Sequence, residues 1–327
     1  MKLVGDRVRK RFSIFAWAVL AYNIPVILWG AYVRASFSGD GCGAHWPFCN
    51  GQVIPQHMAA PMAIEFTHRM TTSVDSAAVI ALCIWAFRVF PRRHAVRLYS
   101  ALSLVFLLIE ALLGAGLVLL RYVARDQSAG RVWYLSGHLT NTMLLLAALT
   151  VTAWAAYTNT ERVRFANVPR ALLGAMAVTV IVSVTGVIAA LGDTLFPAAS
   201  LALGMHQDFS STASLLTRLR MVHPVIAVCG AAYLIWAAIG VLKRKDAERE
   251  RIAASRVIAL TLFQVAAGVV NISLLAPIWM QLFHLFVADL LWIAVVLMAL
   301  EARMTVGDFW SSALSQEKIT VAREERR

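Results

Sequence analysis

Apolar residues come in eight long runs separated by short polar segments. The runs lie near 13–34, 63–90, 98–120, 133–157, 171–191, 219–242, 257–276 and 279–300. A run of about 20 apolar residues is long enough to cross about 30 Å of hydrocarbon as an α-helix. The pattern therefore predicts an all-α polytopic membrane protein with eight transmembrane helices.

The eight runs fall into two similar groups of four. Histidines recur on the second, fourth, sixth and eighth runs, at His68, His138, His223 and His284. Because four spans return the chain to its starting side, both copies keep one orientation, and the repeat predicts two tandem four-helix bundles. The predicted halves are residues 1–160 and 161–303, followed by a polar cytoplasmic tail at 304–327.

The composition agrees with a membrane protein, since 60% of the residues are hydrophobic and only 15% are charged. The net charge of +12 raises the question of nucleic-acid binding. However, most Lys and Arg residues lie in the N-terminal segment, in every second loop and in the C-terminal tail, as the positive-inside rule requires. No basic face with stacking aromatic residues accompanies them, so we expect no nucleic-acid partner.

The same charge distribution predicts that both termini are cytoplasmic. The first apolar run follows a basic segment and is longer than the core of a signal peptide, so we interpret it as a retained helix. No mitochondrial-type presequence precedes it, which favours a bacterial plasma (inner) membrane. The loop 121–132, with Arg121, Arg125 and Arg131 on the outer side, fits this topology least well.

The four repeated histidines lie about five residues from the outer ends of their spans. At 1.5 Å per residue this places them roughly 7 Å below the outer surface. A histidine inside a span is costly and usually faces a partner or a cavity. A single one is explained by an interhelical hydrogen bond. Four at one depth, in two pairs, favour two cofactors bound by imidazole between helices.

Iron porphyrin is the cofactor that this pattern favours. Its flat apolar body fits inside a helix bundle, and two histidines can bind its iron from opposite faces. Zinc or copper would need tighter clusters of Cys, His or carboxylate side chains. The sequence therefore predicts two heme sites, each with two histidine ligands.

Glu65 is a candidate acid or base beside the first histidine. It precedes His68 by three residues, so the two share one face of a helix. A carboxylate in a span is expensive unless it is paired, protonated or catalytic. The counterpart of Glu65 in the second half is Arg220, so only one half carries this candidate. The alternative is an ion pair of Glu65 with Arg69 or Arg34.

Several other polar residues lie in or near the spans. Arginines near the outer span ends can either meet heme propionates or extend to the membrane surface; they are Arg34, Arg69, Arg218 and Arg220. Glu110 and Asp289 are further acids inside spans and are candidates for a polar network or a proton path. Gln264 aligns with Glu110 in the repeat, which predicts a packing or hydrogen-bonding role for both.

Two of the four cysteines lie in the loop 35–62, which contains no Lys or Arg. Cys42 and Cys49 lie on the oxidising side in the predicted topology, where a disulfide can form. It would close a small loop and act as a structural link, or it would exchange thiols or electrons with a partner. Cys83 and Cys229 lie inside spans and are interpreted as small buried apolar residues.

Several stretches together resemble the heme A synthase family over about residues 13–300. They are Trp29-Gly30-Ala31-Tyr32-Val33-Arg34, Gly41-Cys42, Trp46-Pro47-Phe48-Cys49-Asn50-Gly51-Gln52, Glu65-Phe66-Thr67-His68-Arg69 and Val184-Thr185-Gly186-Val187-Ile188-Ala189-Ala190-Leu191-Gly192-Asp193. The combination of the cysteine loop, the Glu-x-x-His motif and the four placed histidines is specific. This chain differs from some members because its outer loop 192–218 has no second cysteine pair.

The resemblance implies an enzyme that converts heme O to heme A. Its members oxidise the C8 methyl group to a formyl group by successive hydroxylations and loss of water. By resemblance, His68 and His138 hold the substrate heme, and His223 and His284 hold a permanent heme b. Glu65 would then be the catalytic carboxylate, and the family's disulfide would join Cys42 to Cys49.

The resemblance also implies partners. Besides the lipid bilayer and heme O, these are a heme O synthase and an electron-transfer partner. The sequence does not decide between a monomer and a homo-oligomer. Arg34 and Arg69 are the residues expected to contribute to heme binding. The alternative hypothesis is a diheme b-type membrane cytochrome that carries electrons without changing a substrate.

Overall fold

A computed structural model describes residues 5–211, 213–243 and 248–324. Its α-helices are α1 (Asp6–Ala35), α2 (Ala60–Val89), α3 (Ala95–Leu119), α4 (Ala129–Thr158), α5 (Arg170–Leu195), α6 (Leu201–Phe209), α7 (Leu215–Leu242), α8 (Glu248–Ser273) and α9 (Ile278–Glu324). All except the short α6 are long and apolar enough to cross a membrane. The predicted all-α, multi-pass membrane fold is confirmed.

Local sequence explains where several helices begin. The side-chain oxygens of Ser128, Ser200 and Ser214 accept hydrogen bonds from backbone amides in the first turns of α4, α6 and α7. These bonds satisfy donors that have no partner within the helix. Pro169 and Pro277 directly precede α5 and α9, where the missing proline amide costs no helical hydrogen bond.

The eight long helices form two rings of four. In the first ring, α1, α2, α3 and α4 contact one another in that order, and α4 closes the ring on α1. In the second ring, the order is α5, α7, α8 and α9, and α9 closes on α5. The two rings meet where α9 packs on α4 and α1, and where α5 packs on α4. This arrangement agrees with two tandem four-helix bundles.

Helix α4 lies at the centre of the contact between the bundles. Most of its apolar stretch is buried in protein, unlike that of the other spans. Two indole N–H groups join the bundles: Trp154 donates to the Glu301 carboxylate at 2.8 Å, and Trp292 donates to the Met143 carbonyl at 2.7 Å. These bonds satisfy buried polar groups and fix the register of α4 against α9.

The helices are longer than the apolar runs that predicted them. α8 begins at Glu248 instead of near 257, and α9 continues through Glu324 instead of ending near 300. The predicted long outer loop 192–218 contains α6. Polar residues extend a helix outside the hydrocarbon because its backbone hydrogen bonds do not depend on apolar side chains. Parts of the basic segments that predicted the topology, at 1–4, 244–247 and 325–327, lie outside the described residues.

The prediction for the two span cysteines is wrong in one case. Cys229 is exposed on the outside of its bundle, and Cys83 is only partly buried. Hydropathy cannot distinguish these positions from a core position, because lipid tails are as apolar as a protein interior.

Candidate functional site

The four repeated histidines lie more residues from the starts of their helices than from the ends of the apolar runs used for the prediction. Because the helices begin at Ala60, Ala129, Leu215 and Ile278, the histidines follow six to nine residues after the helix start instead of about five. At 1.5 Å per residue, this corresponds to roughly 9 to 14 Å of helix. The difference arises because each of these helices starts in sequence outside its apolar run.

Each histidine pair spans the middle of one bundle. His68 on α2 lies near enough to His138 on α4 for a charge on one ring to affect the other, and the same holds for His223 on α7 and His284 on α9. In each ring of contacts, the two histidine-bearing helices are separated by one helix on either side. The imidazoles therefore approach each other from diagonally opposite helices, which is the placement needed to hold a flat group from its two faces.

One imidazole of each pair is held by a hydrogen bond at Nδ1. His138 Nδ1 lies 2.7 Å from Glu110 Oε1, and His223 Nδ1 lies 3.1 Å from Thr185 Oγ1. Such partners fix the orientation and tautomer of a ligating imidazole and leave Nε2 as its ligating nitrogen. The Nδ1 atoms of His68 and His284 are buried and have no hydrogen-bond partner among the described residues.

Glu110 and Gln264 align in the repeat, and each has the predicted hydrogen-bonding role, although they contact different ring nitrogens: Nδ1 of His138 and Nε2 of His284. Glu110 contacts His138 and also accepts hydrogen bonds from Asn141 Nδ2, at 2.6 Å, and from the Thr142 hydroxyl. Gln264 Nε2 lies 3.2 Å from Nε2 of His284. Each residue thus contacts the second histidine of its own bundle. The first bundle places a carboxylate there and the second bundle an amide.

Both carboxylate oxygens of Glu65 have partners. Oε2 accepts a hydrogen bond of 2.8 Å from the Cys42 backbone amide, and Oε1 accepts from Arg69 at 2.5 and 3.2 Å. The residue is 3% exposed. The expected ion pair with Arg69 is present, whereas the alternative with Arg34 is wrong. Its carboxyl group is therefore fixed in position one helical turn before His68.

The predicted disulfide between Cys42 and Cys49 is confirmed, and both residues are buried. Arg69 holds the loop that the disulfide closes, because its Nη1 donates to three of the loop's carbonyl oxygens. These belong to His45, Pro47 and Phe48, at 2.8, 3.2 and 3.0 Å. The disulfide loop, Arg69 and Glu65 therefore form one connected unit above the first histidine pair.

We expect the double substitution of Cys42 and Cys49 by serine to loosen this unit. A disulfide closing so short a loop contributes about 2 kcal/mol. The outer loop should become more sensitive to limited proteolysis in detergent, as measured by cleavage within residues 35–62. Cys229→Ser, at an exposed free cysteine, is the matched control. Equal cleavage of the double variant and the wild type would show that Arg69 alone holds the loop.

Arg34 connects the two bundles instead of pairing with Glu65. From the end of α1 it donates to Thr194 Oγ1 on α5, at 3.2 Å, and to Gln281 Oε1 on α9, at 3.3 Å. Its guanidinium group thus lies at the outer end of the contact between the bundles. No described contact places it beside the first histidine pair.

Arg220 holds the outer segment of the second bundle. It lies 2.7 Å from the Asp208 carboxylate on α6 and 3.6 Å from that of Asp193 on α5. It therefore secures α6 over the second bundle, as Arg69 secures the disulfide loop over the first. Arg218 lies at the exposed edge of this segment and donates to backbone carbonyls there.

Sequence reasoning missed the buried acid Asp75 and described Asp289 only by position. Asp75 on α2 accepts a hydrogen bond of 2.9 Å from Asn23 on α1. Its signal was the presence of a carboxylate inside an apolar run. Asp289 on α9 is buried, and its Oδ2 has no hydrogen-bond partner in the described part of the chain.

The donor set in each bundle fits an iron porphyrin better than a bare metal ion. Over the described ranges, no group of three or more His, Cys, Asp or Glu side chains is placed to hold an ion. The two imidazoles of each bundle, which approach from opposite helices, would hold an iron porphyrin through its iron. Each pair also contains one buried Nδ1 atom without a hydrogen-bond partner among the described residues, in His68 and in His284.

Comparison with known proteins supports the same interpretation as the geometry of the site. The cytochrome oxidase assembly protein family matches this chain over residues 13–296. A protein of Thermus thermophilus named protoheme IX farnesyltransferase is 40% identical over 294 residues, which is 89% of this chain and 48% of that protein. This chain thus spans about half the length of that relative.

Shorter matches join the chain to proteins named heme A synthase. The one from Exiguobacterium sibiricum is 37% identical over 109 residues, or 33% of this chain and 37% of that protein. The one from Lysinibacillus sphaericus is 39% identical over 105 residues, or 32% and 34%. The family match covers most of the chain and agrees with the resemblance found in its motifs. The chain therefore belongs to the heme A synthase family of cytochrome oxidase assembly proteins.

Proposed function

We propose that this protein is a heme A synthase, which oxidises the C8 methyl group of heme O to a formyl group. The observation that carries the proposal is the presence of two diagonal imidazole pairs, with a fixed carboxylate beside only one of them. Two equivalent pairs would suit a simple electron carrier. The asymmetry instead favours one reacting heme and one helper heme.

In this proposal the first bundle holds the substrate and the second holds a cofactor. His68 and His138 would ligate heme O, and His223 and His284 would ligate heme b. Heme b supplies one-electron transfer when it is bound. Glu110 orients His138 through Nδ1, and Thr185 does the same for His223, so each ring is held with Nε2 free for ligation.

Glu65 is proposed to handle protons at the methyl group. With water as the oxygen source, conversion of a methyl to a formyl group releases four protons and four electrons. A carboxylate held near the reacting carbon accelerates such proton transfers. The Cys42 amide and Arg69 fix its two oxygens, which supports a defined position for this base.

The proposed orientation places the disulfide loop on the outer side and both termini in the cytoplasm of a bacterium. A disulfide persists in an oxidising compartment, and the basic loops lie at the opposite ends of the spans. Electrons leaving the substrate would pass to an electron-transfer partner in the same membrane. The name of the Thermus relative supports a prenyl-transferring enzyme as the source of heme O.

Two other functions remain to be distinguished by experiment. A diheme b-type cytochrome would use both histidine pairs without substrate chemistry. Farnesyl transfer to protoheme is suggested by the name of the Thermus relative, although that protein is about twice as long as the matched region. The paired imidazoles favour the oxidation, because alkyl transfer does not require two axial ligands.

The deciding experiment is co-expression with a heme O-producing enzyme, followed by chromatography of the extracted hemes. Conversion of heme O to heme A supports the proposal. Bound heme b without conversion supports the electron carrier. Formation of heme O in cells that lack another heme O synthase supports farnesyl transfer, and a purified protein without heme absorbance rules out both heme-binding proposals.

Glu110→Gln should weaken retention of heme O while leaving heme b in place. The substitution gives the first bundle the amide that Gln264 provides in the second. Loss of a carboxylate that orients a ligating histidine typically costs about 10-fold in affinity. The measurement is the ratio of heme O to heme b in the purified protein. Asp75→Asn, an acid-to-amide change in the same bundle at a side chain that accepts from Asn23, is the control and should leave the ratio unchanged. An unchanged ratio in Glu110→Gln would contradict the assigned role.

A further inference from the structure

Every imidazole of the two pairs faces a glycine on a neighbouring helix. We measured the space at each glycine by the distance from an added Cβ atom to the nearest ring atom of the facing histidine. This distance is 3.0 Å for Gly30 and His68, 3.6 Å for Gly114 and His138, 3.1 Å for Gly186 and His223, and 3.2 Å for Gly268 and His284. Three of these distances are shorter than ordinary van der Waals contact. At those three positions, an alanine would push the ring.

The glycines complete a regular arrangement around each bundle. In the first ring, the histidines lie on α2 and α4 and the glycines on α1 and α3. In the second ring, the histidines lie on α7 and α9 and the glycines on α5 and α8. Histidine and glycine helices therefore alternate, and each imidazole packs near the backbone of an adjacent helix instead of a side chain.

These glycines are not required by an unusual backbone. In the described chain, the glycines with positive φ are Gly43 and Gly51, which lie in the outer loop 35–62. The four glycines that face the histidines lie within α-helices, where alanine is more favourable than glycine. Their common property is the space left by the missing Cβ.

We infer that Gly30, Gly186 and Gly268 are positioning residues that set the rotation of the facing imidazoles. The inference rests on the proposed function, because that rotation matters only if the rings bind iron. The Cε1 atom is the nearest ring atom at all three sites. Each glycine thus lets one edge of the ring approach the helix backbone, which limits the directions in which the other atoms can point.

Gly114 differs from the other three and provides a graded comparison. Its added Cβ would meet His138 at 3.6 Å, an ordinary contact, and the nearest atom is Nε2. His138 is also the ring that Glu110 holds through Nδ1. A hydrogen bond fixes this imidazole, so its glycine is less important. Alanine should therefore be tolerated here.

The test compares alanine variants by heme content and by electron paramagnetic resonance of the ferric protein. Gly186→Ala and Gly268→Ala should each lower heme b retention about tenfold, as expected for a perturbed ligand orientation. The heme that remains should show shifted g values, because these depend on the orientation of the imidazole planes. Gly30→Ala should do the same for heme O loaded by co-expression.

The matched controls are Gly137→Ala on α4 and Gly240→Ala on α7. An added Cβ at either position has no neighbour within 4 Å. Both variants, and Gly114→Ala, should keep the heme content and g values of the wild type. These controls separate a contact with the imidazole from a general effect of alanine in a membrane helix.

The two proposals fail differently. Wild-type protein without histidine-ligated heme overturns the proposed function and this inference together. The inference alone is overturned if the wild-type protein contains such heme and both Gly186→Ala and Gly268→Ala keep its heme content and g values. These two glycines face His223 and His284, the two histidines that would hold heme b, so either variant provides the test if the other does not yield folded protein.

Discussion

Replacing His223 or His284 by alanine should leave the purified protein without heme b. Loss of an orienting partner of a ligand costs about 10- to 100-fold in affinity, and loss of the ligand itself should cost at least as much. His68→Ala or His138→Ala should instead block formation of heme A and leave heme b bound. The two outcomes differ because each histidine pair lies within a separate ring of four helices.

Chromatography of hemes extracted from each variant, after co-expression with a heme O-producing enzyme, measures both effects in one sample. His57→Ala and His206→Ala are the controls, since both residues are exposed in the outer segments. The decisive readout is the pattern across the four variants. Loss of heme b in His68→Ala, or its retention in both His223→Ala and His284→Ala, would contradict the assignment of one heme to each bundle.

The number of spans and the histidine-bearing helices could be predicted because both depend on one-dimensional patterns. Burial of about 20 apolar residues fixes which segments enter the membrane, and histidine is rare enough there to stand out. The disulfide partners were also predictable, since only one cysteine pair lies in an outer loop. The helix ends were not, because polar residues continue a helix beyond the bilayer.

The direction in which each side chain faces could not be predicted from hydropathy. A residue that faces lipid and one that faces a neighbouring helix have the same preference for an apolar environment. For this reason the exposure of Cys229 and the central position of α4 appeared only in the structure. The glycines beside the histidines were missed for a related reason. A glycine within an apolar run has no side chain whose pattern could indicate a partner.

The connection between the outer loop and Glu65 also depended on three-dimensional structure. Sequence spacing suggested the pair of Glu65 and Arg69, since residues four apart on a helix are neighbours. It could not show that the Cys42 amide supplies the second partner, or that Arg69 also binds the loop carbonyls. These contacts join residues about 20 positions apart, and they depend on how the loop folds back over α2.

The two bundles use the same scaffold with different chemistry. Equivalent positions carry Glu65 and Arg220 at the outer end, and Glu110 and Gln264 beside the second histidine. In both cases, only the first bundle has a carboxylate. Charge inside a membrane is costly, so these acids are more easily explained by a reaction in the first bundle than by packing. The proposed division between a substrate heme and a permanent heme follows from this difference.

Glu65→Gln should lower the conversion of heme O to heme A by at least about 100-fold, the usual contribution of a positioned acid or base. The amide keeps the shape of the side chain, and its oxygen can still accept from the Cys42 amide. It removes the carboxylate that pairs with Arg69. Heme b content should stay unchanged, because Glu65 lies in the first bundle. Heme A formed per heme b measures the effect.

Arg69→Gln separates a catalytic role of Glu65 from a structural one. This variant also breaks the ion pair, and in addition it releases the loop carbonyls that Arg69 binds, so the outer loop should become more sensitive to proteolysis than in Glu65→Gln. If Glu65 acts on substrate protons, conversion must fall much further in Glu65→Gln than in Arg69→Gln. This order is expected even though the outer loop is better ordered in Glu65→Gln. Equal losses of conversion in the two variants would mean that Glu65 only anchors the disulfide loop, and the chemistry would then have to be assigned to another residue.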